Sequence, residues 1–279
     1  MIDFSTDGAT LDEQSKIQIW PIQIRIANIP RSKPEIVGVW QGASKPTNAQ
    51  ELFQYFVDEV RDVLNRGGIV FRNQLQLIKL RCFLADSPAR AFVLGHRGHG
   101  SLFPCSKCWI RGNWLRRGVV AYRDIRHRPR TDKEHRQHID GEHHTDSDSV
   151  LLTNIEATEN RQLLLYTAPV VYYGLVDPAA YKHFLLLHSA IRVLVSSSLS
   201  EDSLDFAHRA LRMFVNRAED IYGPEFLSYI THCLLHIVDD VRRFGSLDEL
   251  SMFPYENNMT YYRKVCRKPH QHLQQIINR

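Results

Sequence analysis

The chain has 279 residues, of which 43% are hydrophobic, so it can bury a substantial core as one large domain or two of ordinary size. Lysine and arginine number 35 against 31 aspartates and glutamates, and the formal net charge of +4 permits nucleic-acid binding without requiring it. No apolar run reaches the roughly 18 residues of a membrane span, and the N-terminal residues lack the basic and apolar regions of a signal peptide. We therefore expect an intracellular protein without a membrane segment.

Residues 1–94 show the alternation of strands and helices that is typical of an α/β domain. Isoleucines alternate with other residues around Pro21, which predicts a strand with a bulge or bend at the proline. The expected elements are strands over 16–26 and 36–40, a helix from Asn48 to Gly67, and paired strands over 69–71 and 75–84.

Three acidic residues lie at the ends of apolar runs. Asp7 precedes an extended segment, Asp86 closes the run 78–85, and Glu256 opens the helix expected after Tyr255. A carboxylate at the end of a buried strand is held rigidly yet reaches the surface, as a two-metal site for phosphodiester chemistry requires. Each also has an ordinary explanation, because Asp7 fits a turn, Asp86 the cap of a turn and Glu256 a first-turn acid favoured by the helix dipole.

The segment 95–150 is rich in histidine, arginine, aspartate and glycine, with too few aliphatic residues to fold by itself. Cys105 and Cys108 have the spacing of a zinc knuckle, and two histidines would complete a tetrahedral zinc site. We expect His143 and His144 as the leading histidine ligands, followed by His99. The alternative is a pair of buried thiols beside a solvated histidine-rich loop.

Helical periodicity dominates 151–245, which we expect to form a bundle or cap. The predicted helices cover 163–174, 178–195, 203–222 and 224–244. His232 and His236 share one face at i and i+4, but no metalloprotease glutamate lies between them, so a core histidine pair without metal is the favoured interpretation. A closing segment, 246–279, begins a further helix at Glu256.

Several strings match a known family pattern. The specific part is Ala85-Asp86-Ser87-Pro88-Ala89-Arg90 followed by Cys105-x-x-Cys108. The other strings are Thr6-Asp7-Gly8, Trp20-Pro21-Ile22, Gly98-His99, Arg161-Gln162-Leu163-Leu164-Leu165-Tyr166-Thr167, His232-Cys-Leu-Leu-His236, Phe244-Gly245 and Phe253-Pro254-Tyr255-Glu256-Asn257. Together they span nearly the whole chain, which resembles the transposases of CACTA (En/Spm-type) DNA transposons and their animal relatives.

The resemblance implies an α/β plus α architecture: an RNase H-like mixed sheet core, a Cys/His-rich zinc-type insert and a C-terminal helical bundle. It further implies that Asp7, Asp86 and Glu256 bind two Mg²⁺ or Mn²⁺ ions that activate the attacking group and stabilise the leaving oxygen. The Cys-ligated Zn²⁺ would be structural and separate. The implied partner is DNA, as transposon ends, and the implied location is the nucleus, with homo-oligomerisation left open.

The chain also departs from this family. Relatives carry a long stretch with a Leu-Asp-Tyr-Met-His-like motif, whereas here a short polar link joins His144 to Glu159, and the chain begins close to the first acid without an upstream DNA-binding module. We therefore expect a shortened transposase copy with little or no activity. The alternative is a non-catalytic, zinc-stapled interaction module, and whether the three carboxylates converge distinguishes the two.

Overall fold

The computed structural model describes residues 1–10, 17–29, 31–116, 118–145, 169, 172–266 and 271–278. The described residues of Met1–Gly95 and Ser251–Arg279, with Thr145, form one compact unit, and those of His96–His144 and Thr158–Leu250 form a second. The expected α/β plus α class is confirmed at this level, because a mixed sheet is followed by a helical C-terminal region. Within the described part of the chain, no helix has both the length and the apolar character needed to cross a membrane.

The first unit is organised around a mixed β-sheet. Its elements up to the second unit are β1 (Ile2–Thr6), β2 (Ala9–Thr10), β3 (Gln18–Ile26), β4 (Glu35–Gly42), α1 (Ala49–Asn65), β5 (Ile69–Phe71), β6 (Gln74–Gln76), β7 (Leu80–Leu84) and α2 (Ser87–Val93). β1 pairs antiparallel with β3 and parallel with β7, and β3 pairs antiparallel with β2 and β4. β1 and β7 therefore end at the same edge of the sheet.

The sequence predicted most of this unit, with one difference in the strands after α1. Asn48 caps α1 as expected, since its side chain accepts a hydrogen bond from the Glu51 amide at 2.7 Å. A register shift does lie near Pro21, but its extra residue, Val37, belongs to the partner strand β4, because Ile22 pairs with Gly38 and Gln23 with Ile36. The predicted paired strands over 69–71 and 75–84 are divided, because the exposed β5 and β6 form their own hairpin while the largely buried β7 joins the main sheet.

An aromatic cluster fixes α1 against the two parallel strands. The Phe4 ring on β1 stacks on Phe83 of β7 with centroids 5.1 Å apart, and Phe53 of α1 meets Phe83 edge-on at 6.3 Å. All three side chains are almost fully buried. Such rings bury a large apolar area in a defined geometry, so they hold β1 and β7 in a fixed relative position.

The second unit combines a small hairpin with helices. Its elements are β8 (Asn113–Arg116), β9 (Val119–Ala121), α3 (Asp132–Arg136), α4 (Pro178–Leu194), α5 (Glu201–Tyr222), α6 (Tyr229–Cys233) and α7 (Ile237–Phe244). α4 and α5 confirm two predicted helices and pack through buried aliphatic residues that also contact α7. The helix expected over 163–174 falls mostly outside the described residues.

The helix predicted over 224–244 is wrong as a single element. A 3-10 turn at Pro224–Phe226 precedes α6, whose N-terminus is capped by the Ser228 hydroxyl, and α7 begins only at Ile237. Between them the amides of residues 234–236 bond to carbonyls three residues back, which is a tighter winding than an α-helix. This turn carries His236.

The chain returns to the first unit through α8 (Phe253–Val265) and α9 (His272–Ile277). Met259 of α8 and Ile276 of α9 pack in one buried cluster with Ala9 and Ile19 of the sheet. Glu256 lies in the first turn of α8, as predicted.

Candidate metal centre

Four potential metal ligands converge in the second unit. Cys105, Cys108, His232 and His236 each offer one ligand atom, and these atoms all lie within 4.8 Å of one another. The Cys105 sulfur lies 3.5 Å from His236 Nε2 and the Cys108 sulfur 3.3 Å from His232 Nε2. The two Nε2 atoms are 3.2 Å apart. This Cys2His2 group, the four residues just named, can hold a metal ion such as zinc.

The spacings match those of a tetrahedral zinc site. With Zn–S about 2.3 Å and Zn–N about 2.0–2.1 Å, tetrahedral angles place sulfur and nitrogen ligands about 3.6 Å apart and two nitrogens about 3.3 Å apart. The observed separations of 3.5, 3.3 and 3.2 Å are within a few tenths of an ångström of these values. Four such donors without carboxylates favour zinc over Mg²⁺ or Ca²⁺.

The surrounding structure positions the two cysteines. The Arg130 Nε donates to the backbone carbonyls of Cys105 and Cys108 at 2.9 and 3.1 Å, so one guanidinium fixes both ends of the turn. Lys107, between the cysteines, forms a salt bridge with the buried Asp240 side chain of α7. Both interactions orient the ligands from outside the coordination shell, as partners of structural metal ligands commonly do.

The electrostatics of the thiols are suited to a cation. Burial opposes ionisation of Cys105, but hydrogen bonds from Cys108, His232 and His236 outweigh it and hold the pKa of Cys105 well below its ordinary value. The hydrogen bond to Cys105, together with burial, raises the pKa of Cys108. Cys105 is therefore the more acidic of the two thiols, and a bound divalent cation would favour deprotonation of both.

The histidines beside the cysteines differ from those that the sequence predicted. His143 and His144 lie in a separate group, and the exposed His99 belongs to neither metal-ligand group of the described residues. His232 and His236 form a pair, as expected, but the structure also places each of them beside a cysteine sulfur, which the interpretation as a core pair without metal did not include. Their i, i+4 spacing was the available signal, but nothing in the sequence linked them to cysteines more than 120 positions earlier.

His143 and His144 instead meet His135 of α3, with one ligand atom from each within 4.8 Å of the others. The ring centroids of His135 and His144 are 4.7 Å apart, and those of His143 and His144 are 5.0 Å apart. Burial, reinforced by Arg130, lowers the pKa of His143 to about 4, and burial followed by the charge of His135 lowers the pKa of His144 to about 4. Both rings are therefore neutral at pH 7.

The three predicted catalytic acids all lie in the first unit. Asp7 follows β1, Asp86 follows β7 as the N-cap of α2, and Glu256 lies in the first turn of α8. The Asp86 carboxylate accepts a hydrogen bond from the Ala89 amide at 2.7 Å. Among the described residues the three acids do not form a group whose ligand atoms all lie within 4.8 Å of one another.

A fourth carboxylate of this unit was not singled out by the sequence. Asp3, the second residue of β1, has no exposed side-chain surface and pairs with Arg81 at 2.7 Å and Arg25 at 3.0 Å. Burial opposes its ionisation, but hydrogen bonds from Arg81, Cys82 and Arg25 prevail and lower the pKa of Asp3. Because both guanidiniums form ion pairs with this carboxylate, Asp3 stabilises the sheet and does not act as a metal ligand.

In comparisons with known proteins, no protein-family model matches the chain, and no curated protein matches it.

Proposed function

We propose that this chain is a transposon-derived domain of the DDE transposase type, with an RNase H-like core, that keeps the scaffold and the zinc centre and has little or no strand-cleaving activity by itself. The observation that carries the proposal is the parallel pairing of β1 and β7. Ser5 lies opposite Leu84 in this pair, and Asp7 and Asp86 each follow two residues later. A register of this kind brings two carboxylates to corresponding positions at one edge of the sheet.

The start of α8 supports the same arrangement. The Ser5 hydroxyl on β1 contacts the sulfur of Met252, the residue that precedes α8, at 3.9 Å. Asn258, one turn into the helix, donates to the Gln23 side chain of β3 at 2.8 Å. The start of α8, whose first turn includes Glu256, therefore packs beside β1 and β3, which are neighbours in the sheet. DNA as partner and the nucleus as location belong to this proposal through the family resemblance.

A specific observation favours low activity. The Asp86 carboxylate is engaged as a helix cap, and the three acids do not form a compact ligand group among the described residues. A two-metal mechanism needs carboxylates that hold both ions in line with the reacting phosphate. The second candidate function, a non-catalytic module held together by zinc, requires none of this and rests on the Cys2His2 group alone.

The test measures metal binding and DNA cleavage by the full chain. Asp86→Asn is the informative variant, because asparagine caps a helix as well as aspartate does while losing the negative charge that binds Mg²⁺ or Mn²⁺. Asp58→Asn, at an exposed position of α1, is the matched control. Mn²⁺ binding followed by electron paramagnetic resonance should be present in the wild type and in Asp58→Asn and weaker in Asp86→Asn.

Nicking of labelled duplex DNA with Mg²⁺ or Mn²⁺ should be slow or undetectable, and DNA binding should be weak and strongly salt-dependent. If the wild type cleaves DNA at an appreciable rate and Asp86→Asn does not, the inactivity is wrong while the site assignment stands. If Mn²⁺ binds equally to wild type and Asp86→Asn, the ancestral metal site is wrong and the non-catalytic module remains.

A further inference from the structure

Outside the Cys2His2 group, the second unit contains the cluster of His135, His143 and His144. We infer that these three histidines bind a second zinc ion, separate from the one at the cysteines, with a water molecule as the fourth ligand. The inference does not depend on the proposed function. It rests on three imidazoles whose ligand atoms lie within 4.8 Å of one another. This cluster has no carboxylate or thiolate ligand.

The hydrogen bonding of His143 leaves its ligand nitrogen ready for a metal. His143 Nδ1 lies 2.7 Å from the carbonyl oxygen of Phe103, to which it can only donate, so the neutral ring carries its lone pair on Nε2. That Nε2 atom is fully buried and has no hydrogen-bond partner among the described residues. A carbonyl that fixes the tautomer while the other nitrogen binds metal is the usual arrangement of zinc-ligating histidines.

The neighbouring His144 presents a second buried nitrogen. His144 Nδ1 likewise has no hydrogen-bond partner among the described residues. A buried polar atom without a hydrogen-bond partner is destabilising, and two in adjacent rings are unusual for residues with only a packing role. One metal ion coordinated by both nitrogens removes both costs. The cluster is therefore better explained as a ligand set than as a group of core histidines.

The backbone around the cluster is fixed by interactions that do not use the ligand nitrogens. The Asp140 carbonyl accepts the amides of His143 and His144 at 3.0 and 3.1 Å, and the Asp140 carboxylate pairs with Arg130 at 2.6 Å. This ion pair also offsets the positive charge of Arg130 near the site. The turn that carries two of the histidines is thus held in place before metal binding, which limits the ordering cost on binding.

The third ligand comes from α3. His135 is half-buried and belongs to this helix, whose N-terminus is fixed by a capping box between Thr131 and Glu134. Three histidines leave the fourth position of a tetrahedral zinc ion to a water molecule, as in zinc sites with three protein ligands. Imidazole ligands also bind copper and nickel, so the test measures directly which metal ion the protein holds.

The test is the zinc content of the full chain. Wild-type protein is equilibrated with zinc, desalted and analysed by plasma mass spectrometry, beside His135→Ala, His143→Ala and the control His99→Ala, which changes an exposed histidine outside both groups. We expect two zinc ions per chain in the wild type and the control, and one in the two cluster variants.

Cobalt substitution keeps the result interpretable if a variant is less stable. Of the two sites, the Cys2His2 group has thiolate ligands and the histidine cluster has none, so the thiolate-to-cobalt charge-transfer band should persist in His135→Ala while the bound cobalt falls from two ions to one. His135 is the safer position, because it is less buried than His143. One zinc ion per wild-type chain, or two ions retained by His135→Ala with the cobalt band intact, would overturn the inference.

Discussion

Loss of zinc from the Cys2His2 group should destabilise the second unit far more than the first. The perturbation is Cys105→Ser, which removes one thiolate ligand and leaves the His135, His143 and His144 cluster unchanged. A metal ion at this group would join two parts of the chain that are distant in sequence, since Cys108 and His232 are 124 positions apart. Without the cross-link, the unfolded chain regains the conformational freedom of that long loop.

The size of the effect follows from the loop. Treating the metal bridge as a cross-link, the chain-entropy relation for disulfides gives about 5 kcal/mol at 25 °C for a loop of this length. Typical domains have a free energy of unfolding of roughly 5–15 kcal/mol in total. A metal bridge would therefore account for a large share of the stability expected for the second unit, and Cys105→Ser should leave this unit marginally stable.

Hydrogen exchange with mass spectrometry reads the two units separately. Backbone amides around Cys105 and in α6 should exchange faster in Cys105→Ser than in wild type, by a factor that corresponds to several kcal/mol of opening free energy. Amides of β1 and β7 in the first unit should change little. A zinc chelator added to wild type should reproduce the pattern, because ligand loss and metal removal break the same bridge.

His99→Ala is the control, since it lies in the same segment and offers no ligand to the group. The reasoning is refuted if Cys105→Ser and His99→Ala have equal exchange rates in both units. Equal acceleration of β1 and β7 would also contradict it, because the two units would then unfold together and the effect would not be local.

Two further predictions concern buried ionisable groups. Asp3→Asn should lower the free energy of unfolding by about 3–5 kcal/mol in urea titrations, because it leaves the Arg25 and Arg81 guanidiniums without their buried counter-charge. The control Asp58→Asn, at an exposed ion pair, should lower it by less than about 1 kcal/mol. Burial lowers the pKa of His183 in the folded protein, so this histidine binds a proton more readily when the chain is unfolded. The stability that the neutral His183 contributes is therefore complete above the ordinary histidine pKa of about 6.5. It is lost as the pH falls through that value toward the lowered pKa of the folded protein. Thermal melts at pH 7 and pH 5 should therefore differ less in His183→Gln than in wild type; an equal difference would contradict this.

The sheet could be predicted because its signals are local. Alternating isoleucines around Pro21, the Asn48 cap and the acidic residues after apolar runs each depend on a few neighbouring residues. The division of 75–84 into an exposed hairpin strand and a buried sheet strand was not predictable in this way. Both parts contain apolar residues, and only the choice of pairing partner decides which of them is buried.

The candidate metal ligands also could be predicted only where the signal was local in sequence. The Cys105-x-x-Cys108 spacing identified one half of the site, because two thiols three positions apart can contact one ion. The histidines nearest in sequence were the natural choice for the other half, yet Phe103 and Asp140 direct His143 and His144 into a different cluster. Partners from a distant helix become visible only when the tertiary structure is known.

The composition of 95–150 indicated that this segment cannot fold by itself, and the structure identifies what it packs against. Ala121 at the end of β9 is buried against Phe214 and Val215 of α5. The Tyr122 amide donates to the Leu227 carbonyl at 2.8 Å, next to the start of α6. The described part of the segment therefore shares an apolar core with the region of the chain that carries His232 and His236. Because that core and the Cys2His2 group join the same two parts of the chain, metal binding would reinforce a contact that packing already makes.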